Sequence, residues 1–242
     1  MKLLTTCIIF TLLICTAACA GNLSIYLCPR TSTPPVIDGK LDEAVWRGAP
    51  PVRLGLSTTG QIGTKKTIAR MCWDDANLYV SFDCEDEDIW NDYTKRDDPV
   101  YSQEVCEAFL VPGCDLDRYF EINVSPRGVE FDALVCNAVK GVPGAGTDFA
   151  WTCKGLRSAV VLDGTIDCRT DKDRGFTVEF AVPFAALGRS TPKPGERWRA
   201  NLYRIDLIPK PEEFQSWSPT LQVPAAFHVP ERFGTIFFTE GL

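Results

Sequence analysis

Histidine is nearly missing from this sequence: His228 is the only one in 242 residues. A zinc site built on three imidazoles is therefore excluded, and a Ser-His-Asp triad has a single base to draw on. Methionine is almost as scarce, with Met71 the only one after Met1. Basic residues are outnumbered, 25 Lys and Arg against 32 Asp and Glu, and the net charge of -7 repels phosphate backbones and anionic lipid. Nucleic acid is not an expected partner. No Cys-x-x-Cys pair occurs among the 11 cysteines, which leaves a zinc ribbon without support. What is present is 45% hydrophobic and 24% charged, with 18 Gly and 17 Pro, the make-up of a packed globular chain and not of a collagen, a coiled coil or a disordered tail.

The amino end reads as an export signal over residues 1–20. Lys2 precedes an apolar stretch from Leu3 to Ala20 that four threonines interrupt and no stop-transfer charge follows, which fits a secretory signal better than a membrane span. Two cleavage readings stand. Ala18-Cys19-Ala20 has the small-x-small form of soluble export, while Thr16-Ala17-Ala18-Cys19 resembles a bacterial lipoprotein box without its usual Leu, and would put a lipid anchor on Cys19. Either places the mature chain outside the cytoplasm, secreted, periplasmic or surface-anchored, with no other membrane insertion expected. Eight cysteines follow, and an even number in an exported chain permits disulfides. The competing reading makes several of them small buried hydrophobes, which suits Cys84 and Cys106 in their alternating segments.

From residue 21 to 242 apolar alternation of period two recurs between turn residues, so the expected fold is all-β and a single domain, an antiparallel sandwich or barrel. The hairpin is clearest from Thr67 to Trp73 and Leu78 to Cys84, turning through Asp74-Asp75-Ala76-Asn77 and putting Ala69, Met71, Trp73, Leu78, Val80, Phe82 and Cys84 on one core face. Further strands are expected over 104–111, 119–124, 129–136, 156–162, 176–182, 198–205 and 235–239. Trp46, Phe120, Ile122, Phe180 and Leu202 complete the expected inter-sheet core. Helical turns are expected only at 42–46, with Asp42 as N-cap, and at 184–187.

Parity then isolates polar residues. If 104–111 pairs with 119–124 through its apolar side, Glu107, Glu121 and Asn123 share the opposite face, a set able to exchange hydrogen bonds with sugar hydroxyls. A solvated sheet face is the plainer reading of the same pattern. The acidic run Glu85-Asp86-Glu87-Asp88, with Asp92, Asp97 and Asp98, offers hard oxygens to a structural calcium, though without EF-hand spacing; no other cofactor is implied. Met71 and His228 form the one Met/His combination for a haem, but Met71 falls on the core face. A pair of carboxylates is also what a glycosidase needs, and nothing selects one pair among 32 acids.

The segment Pro35-Val36-Ile37-Asp38-Gly39-Lys40-Leu41-Asp42-Glu43-Ala44-Val45-Trp46 resembles the opening of the family 9 carbohydrate-binding modules. The hairpin Cys72-Trp73-Asp74-Asp75-Ala76-Asn77-Leu78-Tyr79-Val80 is similar to theirs, as are Glu104-Val105-Cys106-Glu107-Ala108-Phe109, the stretch from Trp198 to Asp206, Ser216-Trp217-Ser218 and Arg232-Phe233-Gly234. The resemblance implies a jelly-roll or immunoglobulin-like sandwich that binds oligo- or polysaccharide without catalysis. It implies an aromatic clamp at Tyr101 and Phe227, where the sugar binders have tryptophans, with Phe227 contributing little to the core. It also implies polar contacts from Glu107 and Asn123. The arginine of those binders is Glu121 here, and Arg204 on a neighbouring strand is the candidate for the missing cation. The alternative is a domain that kept the fold, lost the sugar and serves a structural or surface-assembly role; a haem-binding electron-transfer domain and a glycosidase stand behind it.

Overall fold

Residues 67–85 set the architecture. The segment alternates apolar and polar side chains on both sides of an Asp-Asp-Ala-Asn turn, and Asp74 closes that turn by accepting the backbone N–H groups of Ala76 (2.7 Å) and Asn77 (2.8 Å) on its carboxylate. The hairpin that results pairs Trp73 with Leu78, as the alternation predicts. The computed structural model describes residues 23–113, 115–137 and 145–241; the expected signal with Cys19, and Cys114, lie outside the described residues.

In chain order the strands are β1 (Ile25–Pro29), β2 (Val52–Arg53), β3 (Gly55–Leu56), β4 (Thr67–Trp73), β5 (Asn77–Glu85), β6 (Val105–Val111), β7 (Arg118–Val124), β8 (Glu130–Cys136), β9 (Arg157–Asp163), β10 (Gly175–Pro183), β11 (Arg197–Asp206), β12 (Glu213–Ser216) and β13 (Gly234–Thr239). They form one β-sandwich. An eight-stranded sheet runs β1-β13-β11-β6-β7-β8, with β12 and β3 attached beside β11, and a five-stranded sheet runs β2-β4-β5-β10-β9. All pairings are antiparallel except β1 with β13.

Between the sheets Met71, Val80, Phe82, Val178 and Phe180 meet Cys106, Leu110, Ile122, Leu202 and Phe238 in the main core. Two expected members sit elsewhere. Trp46 is buried, but on the outside of the five-stranded sheet, where the short helix α1 (Ala44–Gly48) carries it against Cys72, Tyr79 and Ala181. Phe120 has the right parity yet is only half-buried, because it lies near the open end of β7 and packs on Trp151. Glu43 and not Asp42 is the N-cap of α1: its carbonyl accepts Trp46 N–H, and its side chain is drawn away to Val36 N–H at 3.1 Å.

Candidate functional site

Parity on β6, β7 and β11 decides what the outside of the eight-stranded sheet presents. Glu107 lies opposite Asn123 on one neighbour and Tyr203 on the other, and Phe109 lies opposite Glu121 and Asn201. This face is not solvated. It carries a second apolar cluster in which Phe109, Tyr119, Phe131 and Tyr203 from the strands meet Val100, Phe227 and Phe233 from loops that fold back over the sheet. Burying the face twice over, once by the core and once by these loops, is what removes the acids on β6 and β7 from water.

A cavity of about 450 Å³ opens over the cluster. Its floor holds two carboxylates. Glu107 is 1% exposed and meets no hydrogen-bond partner among the described residues. Glu121, 5% exposed, accepts the Asn123 amide at 2.8 Å and lies 3.9 Å from His228 Nε2. The other imidazole nitrogen of His228, Nδ1, shares a hydrogen bond of 2.7 Å with the Tyr119 hydroxyl. Burial, and then the Glu121 charge, push the Glu107 carboxyl well above the carboxylate range. Burial likewise lifts Glu121 to about 7, opposed by the amide it accepts. The His228 ring reaches solvent at its edge but lies 5.1 Å from Phe109, and desolvation there holds it below the usual histidine range. The floor thus holds a Glu107 whose neutral form burial favours beside a Glu121 on the point of ionising near neutral pH.

The walls are aromatic. Tyr101, 41% exposed, stands edge-on to Phe131 at 4.9 Å, and Phe149, 63% exposed, leans on the same ring at 6.3 Å. Phe227 is 8% exposed; it stacks at 4.1 Å on Tyr203, whose hydroxyl donates to the Phe227 carbonyl at 2.9 Å. Flat rings around a floor of hydrogen-bonding groups, in a space of this size, make a cleft suited to a small polar ring with apolar C–H faces.

Four of the expected site residues, Tyr101, Phe227, Glu107 and Glu121, line this one cavity. Asn123 does not line it. It lies behind Glu121 and orients that carboxylate, and its own Oδ1 is buried without a partner. Arg204 corrects the expectation outright. It pairs with Cys106 on the inner face of β11 and reaches Thr67 Oγ1 (3.1 Å), the Glu85 carbonyl (2.7 Å) and Asp86 (2.9 Å) at one end of the core, so its cation never enters the cleft. Met71 is likewise buried between the sheets while His228 stands on the far side of the eight-stranded sheet, so the two cannot ligate one haem. Phe227 is more than a wall, because its stacking makes it part of the second cluster. The acidic run is spread among ion pairs, Glu85 with Lys66, Glu87 with Lys172 and Asp88 with Arg169, and among the described residues no group of three His, Cys, Asp or Glu is arranged for a metal.

Sequence reading missed Phe149 and the placement of His228. The signal for Phe149 was an aromatic residue in Asp148-Phe149-Ala150-Trp151, outside any alternating run, where an apolar ring has no strand to bury it.

A family model described as carbohydrate family 9 binding domain-like matches residues 37–240. An extracellular protein of Arthroderma benhamiae is 27% identical over 180 residues, 72% of this chain and 78% of its own length. Endo-1,4-beta-xylanase A of Thermoanaerobacterium saccharolyticum is 32% identical over 98 residues, which are 40% of this chain and only 8% of the xylanase. Among solved structures, a candidate carbohydrate-binding protein from Bacteroides uniformis superposes with a TM-score of 0.71 at 16% identity, over 90% of this chain and all of that one. A carbohydrate-binding module of family 9 from Caldicellulosiruptor kristjanssonii, in complex with cellotriose, superposes with a TM-score of 0.59 at 16% identity, over 90% of this chain and 94% of that one. At such identities these two structures establish the fold.

Proposed function

The chain belongs to the carbohydrate family 9 binding domain-like family, and we propose that it is a non-catalytic saccharide-binding protein that works outside the cell. The observation that carries this reading is the cavity on the outer face of the eight-stranded sheet, where Tyr101, Phe149 and Phe227 surround Glu107 and Glu121. Aromatic faces take up the C–H side of a sugar ring and shed water from it, and the carboxyl groups give its hydroxyls directional partners. Glu107 donates in the neutral form that burial favours and Glu121 accepts once ionised, so the floor offers both halves of a hydroxyl's hydrogen-bonding capacity. The relatives of known structure that hold cellotriose or glucose support an oligosaccharide as the ligand class. The expected signal over residues 1–20 and the likeness to an extracellular fungal protein support export, with soluble release and a lipid on Cys19 as the two outcomes.

The deciding experiment is a glycan screen of the processed protein with and without calcium, followed by calorimetry on each hit. Saturable binding to at least one oligosaccharide is expected, lost in Phe149→Ala and in Tyr101→Ala while the circular dichroism spectrum stays unchanged. No binding across the screen, or binding untouched by both substitutions, would overturn the reading. Mass spectrometry of the processed amino end is expected to find a chain beginning at Gly21 or at a lipidated Cys19.

A further inference from the structure

We infer that the cleft is built for a saccharide that carries an ammonium group, a 2-amino-2-deoxy sugar unit, seated against Glu107 and Glu121. The inference rests on the saccharide-binding reading and narrows it. It starts from how this protein treats buried acids. Asp86 and Asp206 lie on Arg204. Asp132 pairs with Arg96. Asp173 accepts the backbone N–H groups of Ile89 (2.8 Å) and Thr165 (2.7 Å), Glu179 those of Gly39 (2.8 Å) and Asp38 (3.2 Å), and Glu213 that of Thr64 (2.7 Å). Glu104 accepts Trp90 N–H at 3.2 Å. Glu107 is the one fully buried acid among the described residues whose carboxyl has no donor, and it looks into the cavity.

No Lys or Arg lines the cavity among the described residues, and the imidazole near Glu121 stays neutral at ordinary pH because desolvation lowers its basicity. Two acids on diagonal positions of neighbouring strands therefore share a dry floor with no positive charge of the protein's own. Keeping carboxylates out of water without a counter-charge is costly, which holds this pair toward its neutral forms, and a ligand that brings a cation lets both acids ionise. A hydroxyl donates one hydrogen bond. An ammonium donates three and adds its charge, so it can bind Glu107 and Glu121 together while its ring lies along Phe149 and Tyr101. Acetylation of that nitrogen removes the charge and leaves a single N–H, which cannot serve both acids.

The test is calorimetry with the processed full chain near neutral pH, using three probes of equal length: a glucosamine oligosaccharide, its N-acetylated counterpart and the corresponding glucose oligosaccharide. The amine form is expected to bind about tenfold or more tighter than either neutral form, the effect of one additional charge-assisted contact. In Glu121→Gln and in Glu107→Gln that preference is expected to collapse, with an unchanged circular dichroism spectrum and melting profile near neutral pH as evidence of an intact fold. Glu87→Gln, which removes an exposed acid outside the cleft, is expected to leave it unchanged. A preference that survives in both cleft variants would reflect the overall negative charge and overturn the inference. So would equal binding of all three probes, which leaves the saccharide reading standing; binding of none ends both.

Discussion

At the residue scale the two rings of the cleft that matter most differ in what else they do. Phe227 is stacked on Tyr203 and also meets Phe214 at 6.2 Å, so Phe227→Ala is expected to lower stability by about 3 kcal/mol as well as weaken binding. Phe149 is 63% exposed, and Phe149→Ala is expected to change stability by no more than about 0.5 kcal/mol while abolishing binding. Chemical denaturation beside calorimetry separates them, and equal destabilisation by the two substitutions would contradict the assignment. Glu121 sets a pH dependence. Its carboxyl is lifted to about 7, so between the ordinary carboxylate range of ~4.3 and that value the folded protein holds a proton the unfolded chain has released. The unfolded state binds fewer protons there, so stability is highest below this window and falls as pH rises through it. Glu107 acts in the same direction; His228, held low, acts in the opposite one, and Tyr119 and Tyr101 stay neutral throughout because both are raised. Glu121→Gln is expected to flatten the fall, leaving the variant more stable than the parent at mildly alkaline pH by about 2 kcal/mol, and thermal melts over this range check it.

At the element scale, the sequence could be read wherever alternation was long enough to have a phase. Strand β4 and its register with β5 were legible to the residue, and the ends of β5, β6 and β7 to within one, which is why parity alone puts Glu107 and Glu121 on one face. The same phase argument, applied to β11, shows why Arg204 was misplaced: it is one residue past Tyr203, and one residue in a strand exchanges faces. Strands β1, β2, β3 and β12 were not legible, being two to five residues long and held by their neighbours more than by their own pattern. The segment before α1 was legible as a family signature but not for its purpose. Asp38 and Gly39 turn their N–H groups onto Glu179, which also accepts the Trp46 indole at 2.5 Å, so the motif clamps the chain onto the five-stranded sheet, away from the cleft. Gly39 sits at φ +83°, and a Cβ there would stand 2.9 Å from the Val160 backbone. Gly39→Ala is expected to cost about 1–3 kcal/mol, read by denaturant titration, with sugar affinity unchanged because the clamp and the cleft lie on different sheets.

For the whole molecule the consequence is that one sheet serves two interiors. The inner face of the eight-stranded sheet belongs to the sandwich core, while its outer face belongs to the cluster beneath the cleft, and the two are insulated by the backbone between them. The fold class was legible from composition and period two because any sandwich needs them; the second interior was not, since the loops that cover it carry no periodicity. Cysteines report on this layering. Cys28, Cys84, Cys106 and Cys153 are buried in the main core and Cys72 beneath α1, whereas Cys136 and Cys168 are partly exposed, all as free thiols. Cys84 on one sheet and Cys106 on the other have sulfurs 3.6 Å apart, so neither can meet a reagent unless the sheets separate. Site-resolved alkylation is therefore expected to modify Cys136 and Cys168 within the native state and to leave Cys84 and Cys106 protected. On adding denaturant those two should lose protection together, at the midpoint of global unfolding, because parting the sheets dismantles the only core that holds them. Cys72 is expected to become reactive earlier, since it needs only the outer clamp of Gly39, Trp46 and Glu179 to open. Alkylation of Cys84 without Cys106, or of either at the native rate of Cys168, would mean that the sandwich opens locally and that its two layers are not one cooperative unit.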